Sequence, residues 1–409
     1  MIGRTVAVLA LAASCVVTSV TPGAASSKFS FPGWYDTNAS AAQSRANLIE
    51  HVLSPSAVTK VKYLRSVVAP VVSPTGHHCQ FEEIDAPLPA GGYLYAATTG
   101  QISKYNPATG KLIWRDAPMV KSFGRPTDFC FTSLAISGNT LIAGGGYSNH
   151  HGNFPSAVAA YNATTGKQLW LNSAFGGMFR NSVAVAGSFA IAAGIDRGGA
   201  FVDALNLSTG KTVWTVGGCF PSGSIFPLVV GQLVISYGCD SQGNANVVAS
   251  QLATGAPVWS LTPQWTLQSG DLSGATGKHL YATDPAGTVE GLNPQTGNVE
   301  YSLSQAVTVL AVDLLRVYAT CGSQGLDLCA YNIGDGALEW QDNYSPALAA
   351  EADGVLYLDS GVALNAATGM VIKRVWSSHY AASAMAIGDG RIAVVTDPRV
   401  LDLYGLPGE

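Results

Sequence analysis

Charge is scarce in this chain. Only 11% of its 409 residues are charged, and 21 basic against 26 acidic side chains leave a net charge of −5. A nucleic-acid backbone needs a basic stripe, and none is present, so nucleic acid is excluded as a partner. Sustained heptads and G-X-Y triplets are also missing, which excludes coiled coil and collagen. Beyond the N-terminus no apolar run is long enough for a membrane span, so none is expected in the mature chain. There is no C-x-x-C pair for a zinc ribbon, and no G-x-S-x-G elbow, phosphate loop or H-E-x-x-H helix. No cofactor and no metal site is therefore expected.

Apolar residues make up 47% of the chain, and 46 glycines with 20 prolines mark frequent turns. That balance describes a folded, turn-rich, all-β protein. The first residues carry an address. Arg4 precedes an apolar run from Val6 to Val20, and small residues follow at Gly23 and Ala25. This pattern reads as a secretory signal peptide spanning 1–25, in preference to a membrane anchor. Lipid attachment at Cys15 is the minority reading. Residues 26–57 form a lead-in, and 58–409 the folded domain. The mature protein is expected to be secreted or extracytoplasmic, and a monomer.

One unit recurs along the chain. Asn106-Pro-Ala-Thr-Gly110-Lys-Leu-Ile-Trp114 returns as Asn162 to Trp170, Asn206 to Trp214 and Gln251 to Trp259. Weaker copies run from Asn293 to Tyr301, from Asn332 to Trp340, and from Asn365 to Gly369. The glycines step by 56, 44, 45, 42, 39 and 33 residues, within the range of a four-stranded propeller blade. In each unit the Asn can bond its own backbone and the Gly can take a positive φ. The Trp can wedge between neighbouring sheets. Seven turns alone suggest seven blades. The ends add an eighth, because Met385–Val395 and Arg399–Tyr404 read as three strands lacking a fourth. Val58–Val68 can supply that strand and close the ring. The expected fold is an eight-bladed β-propeller of four-stranded antiparallel blades, with seven blades as the alternative.

These turns resemble the tryptophan-docking repeat of the pyrroloquinoline quinone (PQQ)-like β-propellers, over roughly residues 90–404. That superfamily includes quinoprotein alcohol dehydrogenases and the bacterial outer-membrane protein-assembly lipoprotein. The resemblance implies an eight-bladed ring. It does not bring the quinone chemistry with it, because the adjacent cysteines typical of those dehydrogenases are absent and no calcium-binding segment can be matched.

Without Cys15 six cysteines remain, an even number that suggests disulfides in a secreted chain. Their blade positions predict Cys79–Cys130, Cys219–Cys239 and Cys321–Cys329, all on one face. The insertion Gly144–Pro155 lies on the same face and carries His150 and His151. They could meet His77 and His78, with Glu82, Glu83 or Asp128 nearby, although adjacent side chains in an extended segment point in opposite directions. Arg180 and His379, and Glu83 with them, stand just ahead of inner strands, where side chains reach the channel mouth. Two functions compete. One is a secreted binding or scaffold propeller for an extracellular protein, cell-wall material or a small ligand. The other is an extracellular hydrolase, lyase or oxidoreductase with its site at the channel mouth.

Overall fold

The computed structural model describes residues 45–69, 86–98, 100–116, 119–122, 125–147, 156–175, 179–196, 199–219, 227–267, 279–377, 382–397 and 399–407. They form eight antiparallel sheets arranged as a ring, an eight-bladed β-propeller. Blades 1 to 7 span 86–116, 125–175, 179–217, 228–260, 266–303, 306–342 and 349–374. Blade 8 combines Ala384–Gly388, Arg391–Asp397 and Val400–Gly405 with Lys62–Val68 from the other end of the chain.

The first strand of each blade is innermost. The first strands Leu228–Val230 and Ala349–Ala352 are buried throughout, and first strands of neighbouring blades pack together. Fourth strands face solvent, and exposed positions dominate Leu112–Asp116 and Pro257–Ser260. This gradient follows from the alternation of each strand and from burial of both sheet faces between neighbours.

The repeated turn joins the third strand to the fourth. In blade 3 the Asn206 side-chain oxygen accepts from the amides of Ser208 (3.1 Å) and Thr209 (3.0 Å), and the Asn206 carbonyl accepts from Gly210 N (2.8 Å). The turn glycines all take φ between +68° and +74°, a region that favours glycine. After each turn the fourth strand bulges one residue before the aromatic, shifting register between Ala204 and Leu205 in blade 3. That shift aims the Trp at the next blade.

Ring closure uses the two chain ends as the sequence suggested. Lys62–Val68 pairs antiparallel with Val400–Gly405, with Ser66 opposite Asp402 and Val67 opposite Leu401. The strand begins at Lys62 instead of Val58, because Ser54 caps a short helix, Pro55–Val58, with Pro at its start. Proline is preorganised for that position and for no central strand. Before the helix, Ala46–Asn47 adds a parallel fifth strand to the axis-facing edge of Ala349–Ala352 in blade 7. Among the described residues no helix is long and apolar enough to cross a membrane.

Candidate functional site

Cys219–Cys239 and Cys321–Cys329 are formed, with Cα separations of 5.0 and 5.9 Å. The first ties the loop before the inner strand of blade 4 to the end of that blade's second strand. The second brackets the hairpin between the second and third strands of blade 6. Both stand on the predicted face. Cys130 is also disulfide-bonded, while its expected partner Cys79 lies outside the described residues. So do His77, His78, Glu82, Glu83, His150, His151 and His379. Arg180, expected just ahead of the inner strand of blade 3, is instead the second residue of that strand, Phe179–Ala186. Asp128 belongs to the long first strand of blade 2, Arg125–Ser137. Among the described residues no three His, Cys, Asp or Glu side chains group as metal ligands.

The opposite face, which carries the repeat turns, shows how the blades are joined. Each Trp of a fourth strand reaches the turn of the following blade. Its indole N–H donates to the carbonyl just after the turn Asn or Gln. Trp114 donates to Ala163 (3.1 Å), Trp170 to Leu207 (3.0 Å) and Trp214 to Leu252 (2.9 Å). Trp259 donates to Pro294 (3.0 Å) and Trp340 to Ala366 (3.1 Å), and in blade 5 the Tyr301 hydroxyl donates to Ile333 (2.8 Å). The rings lie flat on the turn glycines. A Cβ on Gly210 would stand 2.5 Å from Trp170, and one on Gly369 2.8 Å from Trp340. Each such joint combines aromatic burial with a satisfied N–H.

Two joints depart from this pattern, and both border blade 8. Lys373 occupies the Trp position of blade 7, opposite Ala363 beside the same register shift. Its ammonium donates to the carbonyls of Val61 (2.5 Å) and Thr59 (3.2 Å) in the lead-in. Arg65 occupies the Trp position of blade 8 and packs on Gly110, whose added Cβ would meet Arg65 Cδ at 3.3 Å. Beside it opens a groove of about 330 Å³, lined by Lys62, Tyr63, Arg65, Pro107 and Pro407.

The lead-in also locks the axis-facing side of blades 7 and 8. Asn47 donates its amide to the Ile387 carbonyl (2.8 Å), and the Glu50 carboxylate accepts from Gly390 N (3.1 Å) and Val52 N (2.7 Å). Leu53, Val58 and Val61 are fully buried in the cluster that joins blades 7, 8, 1 and 2. Under the lead-in, burial pushes the Glu351 carboxyl up to about 8, helped by nearby Asp313 and opposed by the Gly354 amide that it accepts from at 2.8 Å. In blade 3 burial lifts Asp203 to about 6 against the opposing bond from Thr215. Glu50, Asp313, Glu351 and Asp359 all bind backbone amides. Their chemistry is capping.

The resemblance to quinoprotein propellers raises the question of a quinone. The chain holds no adjacent cysteines, and four of its cysteines are paired with each other within their own blades.

Comparison with known proteins agrees with this architecture. Among solved structures, BamB from Moraxella catarrhalis superposes with a TM-score of 0.55 at 18% identity, covering 85% of this chain and 98% of its own. The quinohemoprotein alcohol dehydrogenase from Comamonas testosteroni superposes at 0.63 with 14% identity, covering 92% of this chain and 81% of its own. The computationally designed protein Ika8 superposes at 0.60 with 15% identity, over 83% of this chain and all of its own. At such identities these likenesses show the fold alone. No curated protein matches the sequence. A family model does, over residues 71–173, 155–306 and 198–401. The chain therefore belongs to the PQQ-like propeller family whose model is described as outer membrane protein assembly factor BamB.

Proposed function

We propose that this chain is an extracytoplasmic propeller acting as a binding or scaffold module, with a protein of the cell envelope or cell exterior as its partner. The observation that carries this reading is how its described polar groups are used. Buried carboxylates cap loops, and indoles and a lysine dock blades, so the described polar groups named here serve the architecture. Two short-range disulfides support an oxidising compartment, where such bonds persist. The likeness to BamB supports a partner that is a protein.

The test is equilibrium binding of the purified mature protein to two fractions of its own organism: secreted and envelope proteins, and isolated cell-wall material. Saturable binding to a protein, unaffected by digestion of the wall polymer, is expected. Failure to bind either fraction, or turnover of a substrate in place of retention, overturns the reading.

A further inference from the structure

The joint between blade 8 and blade 1 differs from the aromatic joints in three independent respects. Arg65 replaces the aromatic. Polar atoms gather there without partners: Arg65 Nε, Arg391 Nε and both side-chain amide atoms of Gln101 are buried and unbonded. Gln101, Ser103 and Tyr105 alternate along one strand face, and Tyr105 packs against Val67, Leu401 and Leu403 of blade 8. Two cavities also open at this joint. The inner one, beside Arg391 and Pro89, measures about 10 Å³ and has room for one water at most. The outer groove, at about 330 Å³, is large enough for side chains of another molecule.

None of the groove's lining residues is acidic, and two are cationic. They make a local positive spot on a chain of net charge −5. Tyr63, 52% exposed, and two prolines give it apolar walls. We propose that this groove is a docking site for an acidic, extended peptide segment of a partner protein. A carboxylate in the groove accepts a charge-assisted bond from the end of the Arg65 guanidinium, while the Arg65 Nε stays buried. The peptide backbone and its aliphatic groups lie against Tyr63, Pro107 and Pro407. A nucleic acid or an anionic membrane fits less well, because two cations on an acidic protein provide little counterion release. The proposal rests on the reading of the chain as a binding propeller and names its partner's chemistry.

The probe is a fluorescein-labelled glutamate hexapeptide, read by anisotropy at low and high salt, with lysine and serine hexapeptides as controls. Salt-sensitive binding of the glutamate peptide alone is expected. Lys62→Glu and Arg65→Gln should each weaken it by about tenfold or more, while Lys211→Gln, in the distant turn of blade 3, should not. Lys62 is exposed, so its variant remains informative where the Arg65 variant unfolds. The proposal is overturned by absence of glutamate-peptide binding, by equal binding of the lysine peptide, or by binding indifferent to Lys62→Glu. It is equally overturned where single-stranded DNA or phosphatidylglycerol vesicles bind the groove more tightly than the peptide. If the whole protein still retains its envelope partner and Lys62→Glu leaves that retention unchanged, the groove assignment fails while the scaffold reading stands.

Discussion

Six joints of this ring are docked by an aromatic ring lying on a turn glycine, and two, on either side of blade 8, are held by a lysine and an arginine. The lysine joint follows from how blade 8 is assembled. An indole needs a turn between third and fourth strands to receive its N–H. Blade 8 has no such turn, since its third strand, Val400–Gly405, and its fourth, Lys62–Val68, come from opposite ends of the chain. Lys373 reaches instead to the carbonyls of Thr59 and Val61, which a long flexible ammonium can do and a rigid indole cannot. Arg65 covers Gly110 without satisfying its own buried Nε. A repeat protein therefore concentrates its exceptions at the seam, and the exposed cationic groove is one of them.

The comparison can be broken most severely by removing the seam itself. Deleting residues 399–409 takes the third strand of blade 8 away and leaves Lys62–Val68 without a partner. Loss of Leu401, Leu403 and Tyr404, each worth about 1.5–3 kcal/mol when buried, exceeds the margin of many domains. The truncated chain is expected to aggregate, as judged by soluble yield and light scattering.

Point changes at the joints should rank in a fixed order. Trp214→Ala empties a docked joint and should cost about 3–5 kcal/mol in denaturant unfolding. Arg65→Ala leaves no orphaned guanidinium and should cost about 1 kcal/mol or less. Equal losses would show that the two kinds of joint are equivalent. Gly210→Ala combines a positive φ with a Cβ 2.5 Å from Trp170 and should cost about 2–3 kcal/mol. Gly110→Ala meets only the flexible Arg65 stem at 3.3 Å and should cost about 1 kcal/mol, the strain of the backbone alone.

A separate effect concerns pH. Glu351, beneath the lead-in, is raised to about 8, and Asp203, in blade 3, to about 6. A carboxyl raised in the folded state binds its proton more tightly there, so folding weakens as pH rises from the unfolded value to the folded one. For Glu351 that window runs from about 4.5 to about 8, and for Asp203 from about 3.8 to about 6. Between pH 6 and pH 8 the parent should lose on the order of 1–2 kcal/mol that Glu351→Gln retains, while Asp203→Asn should lose as much as the parent. Melting temperatures at the two pH values read this directly.

Much of this architecture can be read in the sequence, because repetition makes weak signals strong. One Asn-x-x-Thr-Gly turn says little, but seven in step set the blade register, and that register places Cys219 beside Cys239. The closing strand is legible because Val400-Leu-Asp-Leu-Tyr404 alternates like a strand that needs a neighbour. The seam lysine follows the same count, since Lys373 stands four residues after Gly369 as Trp114 stands four after Gly110, but without the aromatic the position carries no mark. Ala46–Asn47 pairs through only two residues, too short for any periodicity. The raised carboxyl of Glu351 comes from burial by a segment about 300 residues away, which no local pattern encodes. Of the candidate residues on the cysteine-bearing face, Arg180 and Asp128 fall within inner strands, and Glu83, His150, His151 and His379 lie outside the described residues.

Native-state hydrogen exchange measured by mass spectrometry tests the seam most directly. Amides of Lys62–Val68 and Val400–Gly405 should be protected, since they pair, yet should open at a lower free energy than those of Phe189–Asn206 in blade 3. Protection of the closing blade equal to that of blade 3 would contradict a weaker seam, and no protection of Lys62–Val68 would contradict closure by that strand.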